Sequence, residues 1–274
     1  MDFNQCFLSV YEKCRNELSD FEIWDGYYKL RYEEFRQLYT VFPKKEFEQT
    51  LEIGCGIGYQ ASFLSCISKK VIASDVDFGN MKKHSRGLGI TRTFIKRAGI
   101  ENIDIVNANA EELPFGNEEF DLIYCSYSFQ YISDKEKAFS EIMRVLRKDG
   151  FFICLLPTSY GRIKAGGNYY FAGLKKYFSY TKISNKLGKI VSASEKSNQR
   201  ESWFVKLFPK PDDDKNNYFS ELIIYSSWRW KRLFKLNKFK IVKKMHLKSD
   251  QGHTKNRFFG TKKLSEGLVL IVKK

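Results

Sequence analysis

The sequence has few of the residues that mark metal sites, disordered chains and histidine-based catalysis. Its six cysteines include no C-x-x-C pair and no metal-ligand spacing, so no metal site is predicted. Most of them lie in apolar runs, and we expect free thiols in a reducing cytosol. Proline and glycine are low, so disorder is not the default expectation, and the chain has three histidines as candidates for a general base.

Long apolar runs are also lacking, and acidic residues are fewer than basic ones. No run approaches the ~20 residues of a membrane span, and the N-terminus has no charged-then-apolar leader, so we expect a cytoplasmic protein. Lysine and arginine outnumber aspartate and glutamate by 47 to 32, a net charge of +15. This excess favours an anionic partner: nucleic acid, a nucleotide or phosphorylated metabolite, or a membrane surface. A lysine-rich surface that serves only solubility is the alternative.

What the chain does contain is a repeated alternation of strand-like and helix-like segments. Hydrophobic residues make up 43% of the 274 positions, enough for a sizeable core. Five short apolar runs separated by helical patterns predict an α/β, Rossmann-like, doubly wound and mostly parallel sheet. Two more runs, at 239–242 and 268–272, are predicted to close it as an antiparallel edge pair, giving seven strands.

The pattern also predicts four regions. Residues 1–48 form an N-terminal helical lid, 49–157 the ligand-binding core, 158–217 an inserted cap rich in basic and aromatic residues, and 218–274 the closing helix and strands. In the lid, Trp24, Tyr28, Phe35, Leu38 and Phe42 share one helical stripe. Arg31 falls on that stripe too. It either meets an anion such as a cofactor carboxylate, reaches solvent, or pairs with a core acid such as Glu52.

A glycine-rich turn follows the first predicted strand. Gly54, Gly56 and Gly58 alternate after Glu52, and a helical pattern begins near Tyr59. Glycine lets backbone turn sharply and lets a ligand approach bare main chain, while the helix start offers N–H groups to it. The spacing is not the dinucleotide fingerprint G-x-G-x-x-G, because the third glycine comes one residue early.

Polar residues end several other predicted strands. Asp75 lies 21 positions after Gly54, one strand–helix–strand unit, so its carboxylate is expected at the neighbouring strand end, where it can accept hydrogen bonds from ribose hydroxyls. Asp77 is an alternative for this role, and a helix N-cap is an alternative role for Asp75. Asn109 and Ser126 also follow strands. Downstream, Ser133 and Glu136 are predicted to form a capping box.

These pieces together resemble class I S-adenosylmethionine (SAM) dependent methyltransferases, of the type found in ubiquinone and menaquinone biosynthesis. The similarity covers five segments in order, at 51–58, 73–75, 109–115, 120–126 and 138–150. It implies SAM as cofactor, with S-adenosylhomocysteine as product. The cofactor-binding residues it implies, together with those suggested above, are Tyr28, Arg31, Glu52, Gly54, Cys55, Gly56, Asp75, Val76, Asn109, Ala110, Glu111 and Ser126.

The chain departs from that family at two positions. Asn109 stands where an aspartate usually accepts a hydrogen bond from the adenine amino group, and its carboxamide oxygen can accept the same bond. No histidine follows the fourth strand, so the catalytic candidates are Tyr131, near the expected methyl position, and His253, in a polar loop.

The acceptor is predicted from composition and a second resemblance. Glu221, Trp230 and Phe234 in the tail look like methyltransferases of bacterial surface-polysaccharide gene clusters. We therefore expect methyl transfer to a small, anionic or glycan- or nucleotide-linked acceptor. The alternatives are an RNA methyltransferase using a basic 158–248 surface, and a non-catalytic module that binds SAM or a nucleotide. A membrane-peripheral enzyme would use the same basic face.

Overall fold

The elements follow the predicted alternation. A computed structural model describes residues 3–17, 25–43, 46–77, 87–159, 223–247 and 267–274. The strands within these ranges are Phe47–Ile53 (β1), Ser68–Asp75 (β2), Ile103–Asn107 (β3), Phe120–Ser126 (β4), Leu146–Pro157 (β5), Lys240–Leu247 (β6) and Gly267–Lys273 (β7). The helices are Phe3–Glu17 (α1), Asp25–Tyr39 (α2), Tyr59–Leu64 (α3), Leu88–Arg97 (α4), Lys135–Val145 (α5) and Ser227–Leu236 (α6).

The strands pair into one sheet of order β3-β2-β1-β4-β5-β7-β6. Strands β1 to β5 are parallel, and β7 runs antiparallel to both β5 and β6. The α/β, doubly wound, mostly parallel fold with an antiparallel closing pair is confirmed. The order reverses between β1 and β4, which is where such sheets open a crevice for ligands.

One face of the sheet is covered by α1 to α4. Alternate residues of the central strands, such as Tyr124 and Leu155, share a buried cluster with Phe35 and Phe63 from the helices. The predicted stripe on α2 points into this cluster: Tyr28, Phe35 and Leu38 are fully buried and Phe42 nearly so. Trp24, the first residue of the stripe, lies outside the described residues.

The opposite face carries α5 and α6. Phe139 of α5 and Phe234 of α6 pack edge to face, 4.9 Å apart between ring centroids, and Phe234 stacks at 5.7 Å on Phe152 of β5. Burying each such ring stabilises the fold by roughly 1.5–3 kcal/mol. This packing fixes the carboxyl ends of β4 and β5, because both strands are held between two helical layers.

Two local expectations are wrong. The N-cap of α5 is Asp134, whose carboxylate accepts a hydrogen bond from the N–H of Lys137, and the helix therefore begins one residue later than a cap at Ser133 requires. The cysteines are not all free, because Cys6 of α1 and Cys66, which follows α3, form a disulfide. No short motif joins two cysteines 60 positions apart, so the spacing could not show this pair.

The chain divides into two compact units, residues 1–157 with 230–274, and residues 158–229. Most of the predicted cap, 160–217, lies outside the described residues, and the four predicted region boundaries stay predictions. No helix within the described ranges is long and apolar enough to cross a membrane.

Candidate functional site

The glycine-rich turn connects β1 to α3 with three left-handed glycines. Gly54, Gly56 and Gly58 have φ of 72°, 54° and 91°, values that favour glycine because a Cβ would crowd the carbonyl. The N–H groups of Gly54 and Cys55 both donate to the carbonyl of Ser74 in β2, at 2.8 and 2.9 Å. The turn is therefore fixed against the end of the neighbouring strand.

The surroundings of the three glycines differ. A Cβ at Gly54 would collide with the side chain of Ser128, whose hydroxyl donates to the Gly54 carbonyl at 3.0 Å. A Cβ at Gly58 would meet α4 at 3.1 Å. At Gly56, in contrast, no described atom lies within 4 Å of the position that a Cβ would take. The backbone of Gly56 therefore faces a space that a ligand could occupy.

Asp75, at the end of β2, reaches this turn. One carboxylate oxygen accepts from the N–H of Gly56 at 2.7 Å and the other from Val76 at 2.8 Å. Burial raises its pKa, and the two N–H donors oppose that rise. The alternative acid, Asp77, is exposed beyond the strand end, where its N–H donates to the Asn107 side chain. The Asp75 carboxylate therefore links the end of β2 to the turn after β1.

Glu52, at the end of β1, is a buried acid beside the turn. Its exposure is 1%, and burial raises its pKa well above the usual range, with Cys125 and Asp75 adding to the rise. Its Oε2 has no hydrogen-bond partner among the described residues. The hydroxyl of Tyr124, directly across from Glu52 on β4, likewise has none there. The Oε2 of Glu52 and the hydroxyl of Tyr124, both buried where the strand order reverses, could therefore form hydrogen bonds with a ligand or water.

Asn109 and Glu111 follow β3 and form a turn of their own. The Asn109 carboxamide oxygen accepts from the N–H of Glu111 at 3.0 Å, which occupies one of its two lone pairs. The Glu111 carboxylate accepts from the N–H groups of Ser133 and Asp134, at 3.1 and 3.0 Å. The structure thus gives Glu111 the role of fixing the loop before α5, whereas Asn109 is exposed and keeps a lone pair for another donor.

Arg31 has a partner that the sequence did not indicate. It forms a nearly buried ion pair with Glu34, one turn along α2, at 2.9 Å. Its guanidinium also lies over the ring of Tyr127, 5.0 Å from the centroid, a cation–π contact. The partner is therefore neither Glu52 nor bulk solvent. Contact with a cofactor carboxylate stays a prediction.

The other predicted residues divide by exposure. Tyr28 is fully buried, stacked 5.2 Å from Tyr11, and its hydroxyl lies 3.5 Å from that of Ser62. Cys55 and Ala110 are also buried, at the turn and after β3. Val76 is 40% exposed at the β2 end, and Ser126 is half-buried at the β4 end.

Of the two catalytic candidates, Tyr131 lies among the described residues and His253 does not. Tyr131 is 60% exposed in the short helical turn Phe129–Tyr131 after β4. Lys135 holds this turn by donating to the carbonyls of Gln130 and Ile132, at 3.2 and 2.7 Å. His253 lies outside the described residues. Neither catalytic role is tested.

The structure brings together strand ends that the sequence predicted separately, and it adds residues that pattern reasoning missed. The Ser128 hydroxyl donates to the Gly54 carbonyl, and Thr91 of α4 donates to the Gly56 carbonyl at 2.6 Å. Glu34 forms an ion pair with Arg31. Tyr127 has φ of 52°, an uncommon conformation that often accompanies functional sites. Tyr127 and Ser128 directly follow the predicted fourth strand, and Glu34 lies one helical turn after Arg31, whereas no sequence signal marked Thr91.

Comparison with known proteins shows which family the central part of the chain is similar to. The methyltransferase-domain family matches residues 51–154. An uncharacterized methyltransferase of Bacillus subtilis, YcgJ, is 32% identical over 105 residues, 38% of this chain and 39% of that protein. A ubiquinone/menaquinone biosynthesis C-methyltransferase of Rickettsia prowazekii is 30% identical over 146 residues, 52% of each chain. The chain thus spans about two-fifths to one half of these relatives.

Solved structures share the fold at lower identity. The crystal structure of the B. subtilis YcgJ protein superposes with a TM-score of 0.51 at 18% identity, covering 89% of this chain and 99% of that one. A SAM dependent methyltransferase from Aquifex aeolicus gives a TM-score of 0.50 at 12% identity, covering 86% and 87%. These likenesses confirm the sheet architecture. The sequence relatives are methyltransferases by name, which agrees with the methyltransferase-domain family that matches residues 51–154.

Proposed function

We propose that this chain, whose residues 51–154 carry a class I methyltransferase domain of the SAM-dependent type, transfers the methyl group of SAM to a small acceptor. The observation that carries the proposal is the meeting of β1, β2 and β4 at one point. There no described atom lies within 4 Å of a Cβ position at Gly56, and Glu52 keeps one buried oxygen without a described partner. A cofactor with an amino group and a ribose fits these donors and acceptors.

The described residues suit a binding role at distinct parts of the cofactor. Asp75 would accept from ribose hydroxyls, and the Oε2 of Glu52 would accept from an ammonium group. SAM supplies an electrophilic sulfonium methyl group, so the protein has mainly to align an acceptor and exclude water. Tyr131, exposed after β4 and fixed by Lys135, is the described residue best placed to form a wall of the acceptor site.

For the acceptor, we infer a small anionic, glycan-linked or nucleotide-linked molecule. The net charge of +15 supports an anionic group, and the tail resembles polysaccharide-cluster methyltransferases. The relatives differ in the acceptors that their names give: one is a ubiquinone/menaquinone biosynthesis C-methyltransferase and another a malonyl-[acyl-carrier protein] O-methyltransferase. An RNA acceptor is the second candidate. It would bind with steep salt dependence, because phosphate contacts release counterions.

Calorimetric titration with SAM and S-adenosylhomocysteine tests the cofactor half of the proposal. We expect binding by the wild type, and Asp75→Ala should weaken it by about 1–3 kcal/mol, as for loss of hydrogen bonds to a charged group. Asp104→Ala is the control, because Asp104 is a strand carboxylate on β3 that pairs with Lys70 at the surface. Equal affinity of wild type and Asp75→Ala would remove Asp75 from the site. Binding without methyl transfer to any small acceptor tried would favour the non-catalytic module.

A further inference from the structure

The far edge of the sheet carries an unbalanced positive charge. Residues 230–247, which span most of α6 and all of β6, contain seven lysines and arginines and no acid. Six of the seven are exposed: Arg232, Lys235, Lys238, Lys240, Lys243 and Lys244. Within the part of the chain that the structure describes, none of them forms an ion pair. We call residues 230–247 the basic edge.

The cations of the helix and of the strand act on the same region. His246 on β6 has a lowered pKa, first because it is partly buried and then because Lys244 and Lys231 repel its protonated form. Lys244 belongs to β6 and Lys231 to α6, so charges from both elements reach one side chain. The basic edge therefore presents one summed field.

Exposed aliphatic side chains lie among these cations. Leu236 is 68% exposed at the end of α6, and Val242 is 48% exposed at the point where β6 shifts register against β7. The aromatic rings of the same segment are turned inward: Trp230, Phe234 and Phe239 are each at most 3% exposed. A surface for single-stranded nucleic acid typically offers several exposed rings on which bases stack, whereas the exposed rings that α6 and β6 offer are Trp228, 57% exposed, and the imidazole of His246.

Protection of an edge strand explains only part of the pattern. Lysines on β6 discourage pairing with strands of other molecules. That role does not require Arg232 and Lys235, which lie on the helix, and it does not account for Leu236 beside them. Cations surrounding exposed aliphatic groups match the chemistry of an interface that is negatively charged at its surface and apolar beneath.

We propose that the basic edge binds the surface of a bilayer that contains anionic lipids, with Leu236 and Val242 entering the headgroup region. The cations bind phosphate-bearing headgroups, and the aliphatic groups add apolar burial. This inference does not depend on the proposed methyltransferase activity, because binding to vesicles is measured without cofactor or acceptor.

Co-sedimentation of the full chain with vesicles tests this surface. The wild type should sediment with phosphatidylcholine vesicles containing phosphatidylglycerol and not with phosphatidylcholine alone. The triple variant Arg232→Glu/Lys235→Glu/Lys240→Glu should lose binding on the order of 100-fold, since each cation near an anionic surface contributes roughly fivefold. Leu236→Ser/Val242→Ser should lose about tenfold, because apolar burial is removed while charge is kept.

A matched control separates the basic edge from net charge. Lys13→Glu/Lys96→Glu/Lys148→Glu also replaces three exposed cations, so both triples change the net charge from +15 to +9 (three reversals of two charges each). The control should sediment like the wild type, and thermal unfolding should show that every variant is folded. The proposal is overturned if the control loses as much binding as the basic-edge triple, or if the wild type fails to sediment with anionic vesicles. Binding to single-stranded RNA but not to vesicles, abolished by the same reversals, would assign the surface to nucleic acid instead.

Discussion

At the scale of single residues, two glycines make it possible to distinguish two effects of an added methyl group. One is the strain it puts on the backbone, and the other is the space it takes from a ligand. Gly56 and Gly99 have similar φ of 54° and 63°, and no described atom lies within 4 Å of a Cβ at either. Gly56 lies in the turn after β1, whereas Gly99 follows the C-terminal end of α4. An alanine at either position should cost about 1–2 kcal/mol of unfolding free energy, the cost of a left-handed L-residue.

The two variants should differ in cofactor binding. Gly56→Ala places a methyl group in the space that we assign to SAM, and overpacking by one methyl costs about 1–3 kcal/mol. We therefore expect roughly tenfold weaker SAM binding for Gly56→Ala and wild-type affinity for Gly99→Ala, both measured by calorimetry. An equal loss of affinity in the two variants would mean that general destabilisation, rather than the turn, controls binding.

Glu52 should give the fold a defined pH dependence. Burial raises its pKa in the folded state well above the unfolded value of about 4.3. Above the unfolded pKa, the folded protein still holds a proton that the unfolded chain has released, so the free energy of unfolding falls as pH rises toward the folded pKa. Glu52→Gln should remove this fall. The measurement is the urea midpoint of both proteins across that pH range.

Glu141 is the control for Glu52, because its pKa is shifted in the opposite direction. Arg144, which binds its carboxylate at 2.7 Å, lowers the pKa of Glu141. Its contribution to stability is therefore present above the unfolded pKa and is lost as pH falls through the folded pKa. Glu141→Gln should reduce stability at neutral pH and flatten the acid limb. If Glu52→Gln instead behaved like Glu141→Gln, Glu52 would be ionised in the folded protein.

At the scale of elements, α2 carries one ion pair that is nearly buried and one that is exposed. The side chains of Arg31 and Glu34 are 11% and 10% exposed, whereas those of Arg36 and Glu33 are 49% and 46% exposed. Arg31→Met should cost about 3–5 kcal/mol, because the Glu34 carboxylate stays buried without its main counter-charge. Arg36→Met should cost less than about 1 kcal/mol, as is usual for surface pairs.

A double variant tests the reason for this difference. Adding Glu34→Leu to Arg31→Met removes the remaining charge, so chemical denaturation should show that much of the lost stability returns. Additive losses in the double variant would show that Arg31 stabilises α2 through Tyr127 and its other contacts, and not through Glu34.

At the scale of the whole molecule, spacing along the chain was enough to predict the architecture. The apolar runs and the Gly54–Asp75 distance predicted the strand–helix–strand unit, and the structure pairs β1 with β2 in parallel register as that unit requires. The stripe from Tyr28 to Phe42 likewise predicted which side of α2 is buried. Such periodic patterns are local, so they can be read without knowing the partner.

Most of what the sequence did not predict depends on partners that are distant along the chain. Ser128 contacts Gly54 across 74 positions, and Glu111 binds the loop before α5 across 22. Arg31 was placed on the apolar stripe with its partner left open between an anion, solvent and Glu52, and its pairing with Glu34 depends on which rotamer the packed helix allows. The site was therefore predictable as a set of strand ends, but not as a set of hydrogen bonds.

The disulfide between Cys6 and Cys66 connects the N-terminal helices to the core, and its effect should be on stability alone. Closing a loop between residues 60 positions apart restricts the unfolded chain, and such bonds typically contribute about 2–4 kcal/mol. Reductant should lower the urea midpoint of the wild type accordingly. Cys6→Ser/Cys66→Ser should show the lower midpoint in both conditions.

SAM binding should be unchanged by reduction, because α1 does not depend on the disulfide to stay packed in the folded state. Phe7 of α1 contacts the rings of Phe35 and Tyr39 at 5.3 and 5.0 Å, and Tyr11 stacks on Tyr28 and Tyr32. Calorimetry on Cys6→Ser/Cys66→Ser should therefore give the wild-type dissociation constant. A weaker constant in that variant would mean that these ring contacts do not hold α1 alone, and that the covalent link is needed to keep α1 and α2 in place.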